Sequence, residues 1–161
     1  ARTDPPPPAE QIANPDVRIA AVVAGFHRGI AEALLQGALD RLAQCGVAAD
    51  CVDVHWIPGA YEAPAAAQAL AATGRYQAIM ALGAVIRGET YHFETIADQS
   101  AAGLMQVALT TGVVVTNGII TTEDEQQAWD RADGVVGNKG AEAALAAIET
   151  LNAVRVGAQH R

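Results

Sequence analysis

The chain has 161 residues, 51% of them hydrophobic but only 4% aromatic, and a net charge of −8. That length suits one domain with a core of Ala, Val, Leu and Ile, and so small-sided a core buries little area per residue, which favours help from subunit contacts. The acidic balance argues against nucleic acid and anionic membrane surfaces as partners, and no apolar run approaches the ~20 residues of a membrane span.

Residues 1–16, ARTDPPPPAEQIANPD, read as an extended or disordered proline-rich arm without the charged-then-apolar pattern of a signal sequence. Residues 17–161 read as a single domain. VRIAAVVA (Val17 to Ala24) is a buried strand. GIAEALLQGALDRLAQCG is a helix with Ile30, Leu34, Ala38 and Leu42 on one face and Gly46 as its stop. CVDVHW alternates, setting Val52, Val54 and Trp56 opposite Cys51, Asp53 and His55. PGAYEAPAAAQALAATG is a turn and an Ala-rich helix, with Pro64 in the first turn and Gly74 at the end. AIMALGAVI is the third strand, and a long helix follows from about Thr90 to Thr110. GVVVTNGII is the fourth strand. TEDE (Thr122 to Glu125) has the form of a capping box opening a short helix, and a last helix runs from about Ala141 to Val156.

Strand and helix alternating in this way imply an α/β fold, a parallel sheet covered on both faces. Ligands of such sheets bind beyond the carboxyl ends of the strands. GFHRG, PGAYE, RGETYHFE and NGIITTEDE follow the four strands and are expected together on that rim.

In RGETYH, Gly88 permits close backbone approach, and the helix start beyond it offers N–H groups and partial positive charge to a phosphate. The bland reading of the same turn is Thr90 as a helix cap. His92 in the first helical turn can exchange a proton near neutrality, or is simply a satisfied histidine. Glu62 either complements a helix dipole or accepts hydrogen bonds from ligand hydroxyls. Phe26 either packs in the core or offers a platform to a flat heterocycle. GxGxxG, the Walker P-loop and GxSxG are all absent. His27, His55 and His160 show no ligand spacing, so no metal site is expected. Cys45 and Cys51 form neither a CxxC nor a disulfide framework and read as reduced, buried thiols of a cytoplasmic protein.

PGAYEAP, ALGAVIRGETYHFE, NGIITTEDEQQAWDRA and GNKGAEAA, in this order, resemble the 6,7-dimethyl-8-ribityllumazine synthase family over most of the chain from Val17 to about Val156. The resemblance implies a flavodoxin-like three-layer αβα sandwich with a four-stranded parallel sheet. It implies condensation of 5-amino-6-(D-ribitylamino)uracil with 3,4-dihydroxy-2-butanone 4-phosphate, a step of riboflavin biosynthesis, with no metal and no organic cofactor. It further implies small-molecule substrates and a homopentamer at least, the family's smallest assembly, while some members build sixty-subunit capsids.

By the same resemblance, Phe26 stacks on the pyrimidine. Ala60, Tyr61 and Glu62 hold the ribityl chain and ring, and Ala84, Val85 and Ile86 offer backbone contacts. Glu89 and Thr90 form the phosphate turn, His92 transfers protons, and Arg131 grips the phosphate. Asn117 contributes from a neighbouring subunit, at a position where some members carry Phe; Tyr61 likewise stands for a common Phe. The substrate supplies the reacting amine, which leaves Lys139 a supporting role behind the contact residues. The alternative is a non-catalytic flavin or ribityl-lumazine binder on the same fold, against which His92 and Arg131 both speak.

Overall fold

The computed structural model describes residues 13–159. Residues 1–12, which include the proline run, lie outside the described residues, as does His160. Of the expected arm, Ala13 is packed on the fold, buried and with its N–H donating to the Cys45 carbonyl at 2.8 Å, while Pro15 and Asp16 are exposed.

The elements are β1 (Ile19–Ala24), α1 (Arg28–Gln44), β2 (Val52–Ile57), α2 (Ala63–Ala72), β3 (Ala78–Ile86), α3 (His92–Thr111), β4 (Val114–Thr122), α4 (Glu125–Asp133) and α5 (Lys139–Gln159). All strand pairs are parallel, in the order β2-β1-β3-β4. This is the three-layer α/β sandwich that the alternation implies. The chain steps outward from β1 to β2, then returns past β1 to lay down β3 on its other side. That reversal opens a crevice between the carboxyl ends of β1 and β3.

β1 is buried along its whole length because both of its faces are covered. Ile19, Ala21 and Val23 meet Ile30, Leu34 and Ala38 of α1, Ala128 and Ala132 of α4, and Ala144 and Ile148 of α5. Ala20 and Val22 meet Ala63 and Ala67 of α2 and Leu104 and Val107 of α3. The expected face of α1, Ile30, Leu34, Ala38 and Leu42, is buried. β2 is different. Its alternation is present, yet Val54 and Trp56 are 37% and 36% exposed. α1 packs over β1 and β3, and α5 over β3 and β4, so no helix among the described residues packs closely over this face of the edge strand.

α5 is seated on α1 by one side chain in GNKG. The Asn138 Nδ2 donates to the carbonyls of Ala33, at 3.0 Å, and Ala132, and its Oδ1 accepts the Ala141 N–H at 3.0 Å. A Cβ at Gly37 would overlap that amide, and one at Gly140 would overlap the Leu34 carbonyl. These two glycines therefore set how closely the helices approach.

Two local readings are corrected. β4 ends at Thr122, two residues later than expected, because Thr121 and Thr122 continue the ladder opposite Val85 and Ile86. The helix cap moves with it. Asp124, not Thr122, accepts the Gln127 N–H at 2.8 Å, while the Gln127 side chain accepts the Glu123 N–H at 2.8 Å. α3 likewise opens at His92 behind Tyr91, so Thr90 is not its cap.

On the α2 side, the buried Tyr76 hydroxyl donates to Asp53 Oδ2 of β2 at 2.5 Å, and the Arg75 Nη2 stands 3.7 Å from the same oxygen. The Tyr76 hydrogen bond, with help from Arg75, holds the Asp53 carboxyl below its ordinary range against an opposing effect of desolvation. A depressed carboxylate contributes stability above its unfolded pKa, about 3.9, and loses it as pH falls through the folded value. Tyr76→Phe is expected to unfold more readily than the parent at neutral pH. In urea melts that gap should close between about pH 5 and pH 1. A gap independent of pH would assign the loss to packing rather than to the Asp53 charge.

Candidate active site

The crevice beyond β1 and β3 holds a cavity of about 370 Å³, the size of a small-molecule site. Three strand ends build it. Phe26 and His27 follow β1, Gly59 to Glu62 follow β2, and Ala84 to Ile86 with Gly88, Thr90, His92, Phe93 and Ile96 close it from β3 and α3.

Phe26 is 81% exposed, which excludes core packing for it. Its ring meets the His27 ring edge-on at 4.9 Å. The turn beneath is braced by Arg28, whose guanidinium lies 3.6 Å from the Trp56 ring centroid and pairs with Glu32 at 3.0 Å. An aromatic face held at the cavity mouth by a stiff turn is a stacking platform in geometry.

Ala60, Tyr61 and Glu62 form one turn of 3₁₀ helix leading into α2. Ala60 is buried, and Tyr61 is 58% exposed. Glu62 Oε2 accepts the Gly59 N–H at 3.1 Å and so fixes its own turn. This is a capping interaction, and it occupies one carboxylate oxygen of an otherwise exposed side chain. Ala84, Val85 and Ile86 are the last residues of β3. The β1 ladder stops at the Val23–Leu82 pair, whereas the β4 ladder continues to Ile86. On the β1 side these three residues therefore have no strand partner, so those of their backbone groups that point towards that side are not used by the sheet.

Beyond β3, the Thr90 hydroxyl accepts the His92 N–H at 3.4 Å, a long contact within the turn. Tyr91 at the α3 cap offers no side-chain hydrogen bond. The first turn of α3 thus keeps N–H donors for an anion. Thr90 and His92 line the cavity together with Gly88. Glu89 is exposed and is not among the lining residues.

Asn117, Arg131 and Lys139 lie elsewhere. They line a second hollow, of about 540 Å³, along β4 and α5, with Thr116, Glu142 and Ala143. Asn117 was expected on the rim. It instead pairs with Ala81 in mid-strand, five residues before the end of β4, and its Oδ1 accepts the Ile119 N–H at 3.0 Å. Arg131 Nη1 donates to the Gln127 carbonyl at 3.0 Å, and Lys139 Nζ pairs with Glu142 at 2.9 Å. The two hollows share no lining residue, and no Arg or Lys lines the first among the described residues.

Two residues lie inside the quoted motifs but have no role assigned there. Asn138 pins α5, as described above. Arg87 links β3 to α3 and to the β4–α4 loop. Its only sequence signal is that it is the one basic residue among the acids of RGETYHFE.

Comparison with known proteins agrees with this architecture. The family model described as 6,7-dimethyl-8-ribityllumazine synthase matches residues 16–155. A protein of Edwardsiella ictaluri (strain 93-146) named 6,7-dimethyl-8-ribityllumazine synthase is 48% identical over 145 residues, which cover 89% of this chain and 93% of that one. The chain belongs to the 6,7-dimethyl-8-ribityllumazine synthase family.

Proposed function

We propose that the protein condenses 5-amino-6-(D-ribitylamino)uracil with 3,4-dihydroxy-2-butanone 4-phosphate, releasing 6,7-dimethyl-8-ribityllumazine, phosphate and water, at sites shared between neighbouring subunits of a homopentamer or larger assembly. Family membership supports the reaction. One observation supports the shared site: the cavity that would hold the heterocycle lacks a fixed cation, while Arg131 and Lys139 line a separate hollow. A phosphate ester meets a protein of net charge −8 and needs a charged donor. If the β4–α5 hollow of one subunit closes the cavity of the next, both parts are present.

In that arrangement Phe26 stacks on the uracil. Ala60 to Glu62 and the backbone of Ala84 to Ile86 hold its polar edge and ribityl chain. The Gly88–Thr90 turn, including Glu89, and the first N–H groups of α3 receive the phosphate, which the neighbour's Arg131 clamps. Asn117 and Lys139 complete the wall. The substrate amine attacks the ketone and a first water leaves to give an imine, phosphate leaves by β-elimination, and the ring closes onto the second carbonyl with loss of a second water. Each step moves a proton, the task assigned to His92. Holding both substrates together supplies much of the acceleration. No helix among the described residues is long and apolar enough to cross a membrane, and the free thiols Cys45 and Cys51 suit a reducing cytoplasm.

The test uses two defective variants, His92→Ala and Arg131→Ala, coexpressed with different tags and purified as hybrids. Random assembly around a ring gives about a quarter of the interfaces an intact cavity beside an intact Arg131. Lumazine formation at sub-saturating butanone phosphate should recover to about that fraction of the parent rate. Hybrids no more active than the separate variants would place the whole site in one subunit. A monodisperse monomer with full activity would overturn the assembly outright.

A further inference from the structure

The first turn of α3 carries His92 and Phe93 into the cavity, yet its own cap holds it only loosely. Tyr91 donates no side-chain hydrogen bond there, and the Thr90 hydroxyl reaches the His92 N–H only at 3.4 Å. Its anchor comes from the strand before it. Arg87 follows the last residue of β3, and its backbone N–H donates to the Thr122 carbonyl at 2.8 Å, which ties its main chain to β4. Its guanidinium then makes three contacts. Nη1 pairs with Glu94 Oε1 in the first turn of α3. Nε pairs with Glu123 Oε2 in the β4–α4 loop at 2.7 Å. Its Cζ lies over the Phe93 ring, 4.5 Å from the centroid.

These contacts require a guanidinium. A planar fork can satisfy two carboxylates in different directions while one face rests on an aromatic ring; an ammonium group presents a single charge and no face. Glu94 depends on the contact as well. Its second oxygen, Oε2, is buried with no hydrogen-bond partner among the described residues, so Arg87 is the chief group that stabilises its charge. The hydrogen bond from Arg87 is also the chief reason the Glu94 carboxyl sits below its usual range. Without Arg87, that carboxylate would have to reach water, and the turn bearing His92 would move with it.

We infer that Arg87 is a positioning residue: by bridging Glu94 and Glu123 and packing on Phe93, it sets the first turn of α3, and therefore the His92 imidazole, against the bound substrates. This rests on the reading of His92 as the proton-transfer group, and the experiment separates the two. Steady-state rates are compared for wild type, Arg87→Ala, Arg87→Lys, His92→Ala and the double variant Arg87→Ala/His92→Ala. Arg87→Ala should lower kcat about 10- to 100-fold, the scale of a misplaced catalytic group. KM for the ribitylamino-uracil should change little, because Phe26 and the β3 backbone are untouched. Arg87→Lys should recover little of the loss. The double variant should be no slower than His92→Ala alone, since a group that is gone cannot be misplaced. A wild-type kcat in Arg87→Ala, or a double variant slowed by the full Arg87 factor again, overturns the positioning role and leaves His92 standing. A wild-type kcat in His92→Ala overturns both. Should Arg87→Ala fail to fold, Glu94→Gln in the same pair of backgrounds carries the comparison. It keeps the side-chain volume and removes the charge that Arg87 holds, and it is read by the same non-additivity with His92→Ala.

Discussion

His92→Ala is expected to lower kcat by about 10²-fold, the low end of what a positioned acid–base group supplies. The low end follows from the chemistry and from the site. Imine formation, phosphate elimination and ring closure each need a proton moved, but the reacting amine belongs to the substrate, and both reactants are still brought together in the variant. His92 is exposed at the cavity wall, so water can enter and replace part of its function. KM for either substrate should shift less than kcat, because the proposed binding contacts come from Phe26, Ala60 to Glu62 and the β3 backbone. Steady-state rates across about pH 6 to 8 check this, the range in which an ordinary imidazole changes charge. If kcat and its pH dependence are the same in variant and parent, His92 serves structure only.

Arg131→Ala is expected to weaken use of the butanone phosphate about 10- to 150-fold while leaving the ribitylamino-uracil nearly unaffected. The α3 N-terminus offers an exposed anion only about 0.3–1 kcal/mol. A charge-assisted hydrogen bond adds about 1.5–3 kcal/mol, and a guanidinium can make two of them in parallel. Arg131 has the donors to spare. Of its five N–H groups, the hydrogen bond to the Gln127 carbonyl uses one and steadies the side chain along α4. Lys139 is a weaker candidate, since Glu142 already holds its ammonium at 2.9 Å. Arg131→Lys should restore part of the loss, as a point charge keeps the attraction without the fork. The measurement is KM for each substrate at saturating levels of the other. If both rise together, or only that of the uracil rises, Arg131 does not anchor the phosphate.

Much of this was legible in the chain because the signals involved are local. Apolar runs, a 3.6-residue spacing of Ile30, Leu34, Ala38 and Leu42, and glycines such as Gly46, Gly74 and Gly112 mark where elements start and stop. They do so through burial and backbone freedom, which depend on near neighbours. Gly46, Gly74 and Gly112 all adopt positive φ after their helices. The clustering of Gly88, Thr90 and His92 at one cavity also follows from order alone, since they are close in sequence and β3 delivers them to the rim.

Boundaries failed where a second element intervened. Thr122 has the composition of a helix cap, but pairing opposite Ile86 keeps it in β4, and Asp124 becomes the cap. Val54 and Trp56 alternate as a half-buried strand should. No local signal reveals that β2 is the edge strand and that no helix among the described residues packs closely over that face.

By itself, then, the sequence determined the parallel α/β class, the order of elements and the segment carrying His92, because hydrophobic period and turn chemistry act within a few residues. Strand order and register decided the rest. They set Asn117 in mid-strand opposite Ala81, away from the rim. They divided the named residues between two hollows, with Phe26 and His92 in one and Arg131 and Lys139 in the other. They also brought Glu123, from the β4–α4 loop, to the guanidinium of Arg87, a contact created only when β3 and β4 pair and their ends come level.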